Sequence, residues 1–423
     1  MPTRLSTRPR ASSPEGFYGW RTVAISAVLL TLTAPGQTAA ISAFVDPMIS
    51  DLDTSRSAIS LAYMVGTLIG ALTLPTAGRL FDRLGARLTV AIIGAMFGTV
   101  LIGLAFTRGP TELTVGFAGV RMLGQGALGL CATTMTAVWF TRNRGTALGL
   151  VSAVGAAGIS LAPLLLTPLI SEQGWRTAWA VEGILVWVVV VPLAWWGIKD
   201  HPSDLGQQPD GDHRTTGSPS TPVTWGLSRS EAVRTPFFWL IAAAVATSGA
   251  LSTAIAFHQI SLLGERGLST AEAAANFLPQ MAAGLAATLL TGMLIDRINP
   301  RWATFVSMIS MTIGLLIGTV VSSGWSAIAF GIVIGFAGGS IRTLEAATFP
   351  LYFGTAHLGS IRGIVAAISV GSTAVGPVTF ATVYDHAGSY APALIGSAAI
   401  PAVVAVFALI VAPPVTERAV PTL

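Results

Sequence analysis

The chain has 423 residues, of which 52% are hydrophobic and only 10% charged. A soluble domain carries roughly 25% charged residues to cover its surface, so these totals exclude one and point to an integral membrane protein. The formal net charge of +4 is not a nucleic-acid signal; it reflects where the arginines are placed. The single cysteine, Cys131, sits in an apolar run, which excludes a disulfide within the chain and any multi-cysteine metal site.

Residues 1–19 are read as a cytoplasmic tail carrying Arg4, Arg8 and Arg10, not as a cleaved signal peptide, because no small-residue cleavage site follows the first apolar run. Apolar runs of bilayer-spanning length fall at about 20–45, 57–80, 87–107, 112–140, 145–170 and 175–198. Residues 199–234, rich in Pro, Asp, Ser, Gly and Thr, read as a flexible cytoplasmic linker. Six more runs follow at about 236–262, 270–295, 302–322, 325–353, 361–384 and 390–412, and 413–423 form a second tail. The expected fold is an all-α membrane protein with twelve transmembrane helices in two six-helix bundles, 20–198 and 235–412.

The basic residues orient it. With the N-terminus inside, only Arg56, Arg108, Arg176 and Arg266 fall outside, and Arg121 and Arg342 fall within helices; the rest of the 23 basic residues lie on the cytoplasmic side. That excess predicts a multi-pass protein of the cell membrane with both termini cytoplasmic. The halves also repeat. Gly78-Arg-Leu-Phe-Asp82-Arg83-Leu-Gly85-Ala-Arg87 after helix 2 has a counterpart in Gly292-Met-Leu-Ile-Asp296-Arg297-Ile-Asn-Pro-Arg301 after helix 8. Trp139-Phe140…Arg144-Gly145 is matched by Tyr352-Phe353…Arg362-Gly363 at nearly the same spacing. Duplicated halves of this kind enclose a site between them near the membrane midplane.

The loop after helix 2, its degenerate copy after helix 8, Arg121-Met-Leu-Gly-Gln-Gly126 in helix 4 and Gly158…Pro163 in helix 5 resemble the signature segments of the major facilitator superfamily. Within it, Glu15-Gly16-Phe-Tyr-Gly19-Trp20 and Trp139-Phe140-x-Arg142-x-Arg144-Gly145-x-Ala147-x-Gly149-Leu150 are similar to the monocarboxylate transporters and their bacterial oxalate/formate-type relatives. Gly174-Trp175-Arg176 and Pro236-Phe-Phe-Trp239 agree with that subgroup. The resemblance implies alternating access, and a coupling role for Arg121. Members moving small carboxylates carry a basic residue in helix 8 or 11, or a lysine in helix 1. Here helix 8 has Asn276 and Gln280, helix 11 has Arg362 only at its start, and helix 1 has Gln37.

Arg342 and Glu345 lie deep in helix 10, three residues apart and so on one face. Charge at that depth is costly unless paired or hydrated, which makes it a functional candidate. Arg342 is expected to bind an anionic substrate while Glu345 competes for it or carries a proton; a self-neutralising structural pair is the alternative. Arg121 has the alternative of reaching towards the outer surface. Gln37, Tyr63, Asn276, Gln280 and Gln125 are polar groups that line a cavity or bond neighbouring helices. His258 titrates in the physiological range when unperturbed and is a further candidate. Glu182 lies in helix 6, and Asp46 and Asp385 near outer helix ends, where hydrated charge is ordinary.

Gly78, Asp82, Arg83, Arg87, Arg144, Gly292, Asp296, Arg297 and Arg362 form an expected cytoplasmic gate. Each aspartate accepts from the N-terminal amides of a facing helix, Asp82 at helix 11 near Arg362 and Asp296 at helix 5 near Arg144. No phosphate loop, metal cluster or catalytic constellation is present in the sequence, so no cofactor is expected and an ion or substrate gradient supplies the energy. The expected function is a monomeric, proton-coupled secondary transporter of a small organic anion such as a carboxylate. A proton-driven exporter of drugs or secondary metabolites is the alternative.

Overall fold

A computed structural model describes residues 17–211, 226–295, 298–354 and 356–414. Twelve helical spans cross it, numbered here in chain order. Span 1 is Gly19–Thr31 and Thr38–Leu52, broken by a tight turn at Ala34–Gly36. Spans 2 and 3 lie within Arg56–Leu104, and spans 5 and 6 within Arg144–Pro192 and its extension Leu193–Gly197. Each folds back at one glycine with positive φ, Gly85 (77°) and Gly174 (82°), a backbone region that other residues adopt only with strain. Span 4 runs from Pro110 to Trp139 through a π-helical stretch, Arg121–Leu128. Spans 7 to 12 are Pro236–Glu265, Thr270–Leu294, Pro300–Val320, Trp325–Phe353, Leu358–Ala387 and Ala391–Ile410.

Close helix approach explains the glycine content. Gly335 and Gly339 of span 10 face span 8 so tightly that an added Cβ would meet the carbonyl oxygens of Gln280 and Gly284 at 2.1 and 2.2 Å. In the first bundle, a Cβ on Gly36 of span 1 would lie 2.6 Å from the Val120 carbonyl of span 4. Apolar side chains gain little by leaving lipid, so backbone approach through small residues is what holds membrane helices together.

The turns 79–87 and 141–144 share one end of the bundle, here the arginine-rich end. Arg56, Arg108, Arg176 and Arg266 lie at helix ends on the opposite side, the far end. The central polar stretch differs from its expected flexibility at both extremities. Asp200 accepts from the Arg87 backbone N–H at 2.8 Å, and Gln207 from that of Tyr18 at 3.0 Å. Residue 227 donates to the carbonyl of Phe353 at 2.9 Å, beside a bridge between Gly226 and Gly354. The polar residues that make 199–234 look like a loop are also good acceptors for exposed helix-start amides, and they are used that way.

Candidate functional site

In the first bundle Arg121 is buried, at 5% exposure. It starts the π-helical stretch roughly 16 Å inside span 4, at 1.5 Å per residue from Pro110. Its Nε donates to the Thr67 hydroxyl at 3.0 Å and one terminal nitrogen to the Gly36 carbonyl at 3.1 Å, where span 1 is broken. The guanidinium stands 4.7 Å over the Tyr63 ring, a cation–π arrangement. It therefore ties spans 1, 2 and 4 together rather than reaching the far surface, and no carboxylate pairs with it among the described residues. Tyr63 is fully buried and shares a 2.6 Å hydrogen bond with Thr38. Gln37 donates to Thr33 at 3.1 Å.

In the second bundle the one-turn spacing of Arg342 and Glu345 does not give an ion pair among the described residues. Arg342 is exposed, and its terminal nitrogen lies where span 8 presents Gly284, 3.5 Å from a Cβ added there. It has no hydrogen-bond or ion partner among the described residues. Glu345 instead reaches Arg362 at the start of span 11, 3.8 Å away, with side chains 22% and 45% exposed. The missing Cβ of Gly284 gives the guanidinium room beside span 8, and Arg362 supplies Glu345 with a different cation.

Three of the expected site groups bond neighbouring helices, the alternative for Asn276 and Gln280. Asn276 is 4% exposed and donates to the Ala327 carbonyl at 2.6 Å; Gln280 donates to Gln259 at 2.6 Å and to Asn276 at 3.2 Å. This chain of amides joins spans 7, 8 and 10. His258 is fully buried, with Nε2 2.9 Å from the Pro377 carbonyl and Nδ1 3.1 Å from the Tyr390 hydroxyl. A carbonyl only accepts, so Nε2 carries the proton and Nδ1 accepts from Tyr390. The ring joins spans 7, 11 and 12 and is closed off from solvent.

The expected gate is arranged differently from its sequence pattern. Asp82 and Arg83 are exposed, and Arg362 faces Glu345, not Asp82. Arg144 turns back on its own hairpin, donating to the carbonyls of Phe140 and Ala137 at 3.0 Å each. These are the last carbonyls of span 4, which lack helical partners. Arg87 lies over Trp195 of span 6. A Cβ added at Gly78 would meet Leu130 of span 4, and one at Gly292 would meet Thr343 of span 10, at ordinary contact distance. Asp296 and Arg297 lie outside the described residues.

Two arrangements join residues that lie far apart in the sequence. At the far end Arg56 donates to Asp46 at 2.7 Å and to Ser261 at 3.0 Å, and Ser261 donates to the other Asp46 oxygen at 2.6 Å. The guanidinium also lies 4.7 Å from the Tyr384 ring centroid. Asp385, closing span 11, accepts from the Ser57 backbone N–H at the start of span 2 at 3.0 Å. This cluster bridges the two bundles beside a cleft of about 1030 Å³ lined by Asp46, Thr167, Ser171, Ser261 and Glu265.

The second feature is Asp210, which accepts from the backbone amides of Thr141, Arg142 and Asn143 and from the Thr141 hydroxyl, at 2.5 to 3.1 Å. What little burial it has raises its carboxyl, but these four bonds hold it well below the usual carboxylate range. A depressed carboxyl contributes stability above the unfolded-state value and loses it as pH falls through the folded-state value. The Asp210 contact should therefore survive mild acid. Asp210→Asn should speed hydrogen exchange at amides 141–143 by about tenfold, the loss of roughly 1.4 kcal/mol of charge-assisted bonding at a mostly exposed site. Unchanged exchange, read by mass spectrometry at neutral pH, would show that the contact contributes nothing.

Comparison with known proteins fits this architecture. The gallate transporter of Pseudomonas putida is 31% identical over 43% of this chain and 40% of its own length. The oxalate:formate antiporter of Oxalobacter formigenes is 25% identical over 55% of this chain and 53% of its own. The chain thus matches about half the length of these relatives or less. In fold, a bacterial homologue of the human lysosomal transporter Spinster covers 95% of this chain and 96% of its own at a TM-score of 0.68 and 16% identity. The resemblance to the monocarboxylate and oxalate/formate subgroup holds among these relatives. Residues 26–286, more than half of the chain, match the family described as Major Facilitator Superfamily; to that family of membrane transporters, not to the enzymes, the chain belongs.

Proposed function

We propose that the protein moves a small organic anion, such as a carboxylate, across the cell membrane by alternating access coupled to protons, with the arginine-rich end cytoplasmic. One observation carries the reading: Arg342, deep in span 10, is exposed and has no protein partner among the described residues. A guanidinium offers a planar fork of donors that matches a carboxylate, and an unpaired cation at that depth is expensive to keep without a ligand or water. Gallate, oxalate and formate, for which the two relatives above are named, are all carboxylates, which supports the same substrate class. Arg121, already bonded to spans 1 and 2, fixes the first bundle in shape rather than anchoring the anion. Glu345, one turn from Arg342 and facing Arg362, is the group placed to take up the coupled proton.

The test is uptake of radiolabelled gallate, oxalate and formate into proteoliposomes with an acidic exterior. Gradient-driven uptake of at least one acid, abolished by a protonophore, is expected. If no acid enters and a proton gradient instead drives extrusion of neutral or cationic drugs, the anion reading falls and the exporter takes its place.

A further inference from the structure

Gln125 lies at the middle of span 4, roughly 21 Å of helix from either end at 1.5 Å per residue. Its side chain makes no hydrogen bond among the described residues. Between Gly116 and Phe140 it is the one exposed residue. A helix face turned to lipid shows exposed residues every three or four positions, so the opening at Gln125 is local. An unpaired amide in hydrocarbon would also be costly. Both arguments turn Gln125 to the space between the bundles.

Its neighbours agree. Gln125 belongs to the π-helical stretch Arg121–Leu128, a rare geometry that recurs at functional sites. A Cβ added at Gly36 would lie 2.9 Å from its backbone nitrogen, so it stands beside the break in span 1. Broken helices at the midplane form solute sites where two repeats meet. The repeat that pairs Phe140 with Phe353 carries Gln125 onto Gly338 of span 10, one turn from Arg342 and on the same helix face. A Cβ added at Gly338 would meet only the Ser252 hydroxyl among the described residues, at 3.6 Å, so the wall beside Arg342 is recessed. The bundles touch nearer the far end, where the Tyr63 and Phe257 rings stand 4.7 Å apart. Gln125 and Arg342 both lie further towards the arginine-rich end.

We propose that Gln125 is the first bundle's contact with the transported anion and reads a second, uncharged polar group on it, a hydroxyl or carbonyl at the end away from the carboxylate that Arg342 holds. The inference rests on the anion reading above. An amide offers two donors and an acceptor, so it bonds either group, and it has no charge with which to offset a second carboxylate. Arg121, one turn away, does not supply that charge directly: its guanidinium bonds Thr67 and Gly36 and lies over Tyr63, turned to spans 1 and 2. The substrate class narrows to monoanions with a distant hydroxyl or carbonyl.

Calorimetric titration of the full-length purified protein tests it with acids of different reach: propionate, its terminal hydroxy acid and malonate; hexanoate, its terminal hydroxy acid and adipate; benzoate, its para-hydroxy acid and terephthalate. In at least one series the hydroxy acid should bind about fivefold more tightly than the unsubstituted acid, the worth of one neutral hydrogen bond. Gln125→Leu should erase that difference without weakening the unsubstituted acid, and Gln125→Asn should keep part of it. Gln125→Arg should shift the preference from the hydroxy acid towards the dicarboxylate by about tenfold. Hydroxy and unsubstituted acids that bind alike in every series, or a difference that survives Gln125→Leu, would overturn this proposal and leave the anion reading in place. Failure of every acid to bind would overturn the anion reading and this proposal with it. If Gln125→Leu does not yield a monodisperse protein, the Gln125→Asn and Gln125→Arg measurements decide it, an unshifted preference in both overturning the proposal.

Discussion

Arg342→Gln should lower uptake of the transported anion by about 100-fold while leaving the fold intact. The expectation rests on what the side chain touches. Its terminal nitrogen lies beside Gly284, and it makes no hydrogen bond or ion pair among the described residues. Removing it therefore leaves no protein group orphaned, and the unfolding midpoint should move by no more than about 2 °C, as for substitutions away from structural contacts. A bound carboxylate, by contrast, loses charge-assisted hydrogen bonds worth about 1.5–3 kcal/mol each, and one such loss at the upper end is roughly 100-fold in affinity. Arg342→Lys should recover part of the uptake, since a lysine keeps the charge but not the fork. Initial uptake rates in proteoliposomes, read beside a thermal-unfolding scan, separate the outcomes. Normal uptake with a stable protein would remove Arg342 from the site. Lost uptake with a lowered midpoint would make it a structural residue.

The architecture was legible because its signals are local. Runs of about 20 apolar residues give the spans, and the signature turns give their pairing. Arg121 and Arg342 stand out because charge inside an apolar run is visible without any knowledge of partners. What those charges face was not legible. Arg342 and Glu345 share a helix face, yet a glycine on span 8 and an arginine on span 11 separate them, and neither neighbour is near in sequence. Asn276 and Gln280 read equally as cavity groups, and His258 as a proton-exchanging group, for the same reason. The partners of His258 lie 119 and 132 residues away, so nothing near it in the chain shows that both ring nitrogens are occupied. Asp210 was hidden by its setting, a run of Asp, Gly and Pro that local propensity reads as a loop. The far-end cluster was hidden by its commonness: one Asp, one Arg and one Ser at helix ends become a joint only when two bundles bring them within 3 Å.

That cluster sets the second large effect. Arg56 links Asp46 of span 1 to Ser261 of span 7 and packs on Tyr384 of span 11, so one side chain holds both bundles at the far end. Arg56→Met keeps much of the apolar stem but removes both hydrogen bonds and leaves the Asp46 carboxylate without its cation. Breaking a buried pair costs about 3–5 kcal/mol, but the Asp46 side chain is 44% exposed, so solvent screening brings the expected loss down to about 2 kcal/mol. In the proposed alternating-access cycle, the loss falls on the state described here, in which these contacts bridge the two bundles at the far end. The ratio of far-end-closed to far-end-open molecules should therefore drop roughly 30-fold. Spin labels at Gln173 and Ala387, both exposed near the far end of opposite bundles, report it by pulsed electron resonance. The mutant should gain a longer distance that is minor in the parent protein, and Asp385→Asn, which weakens the cap on the Ser57 amide, should add to it. A distance distribution that does not change in Arg56→Met would mean that apolar packing between spans 2 and 11 alone closes that end, and the charged cluster would then be a passenger on the closure.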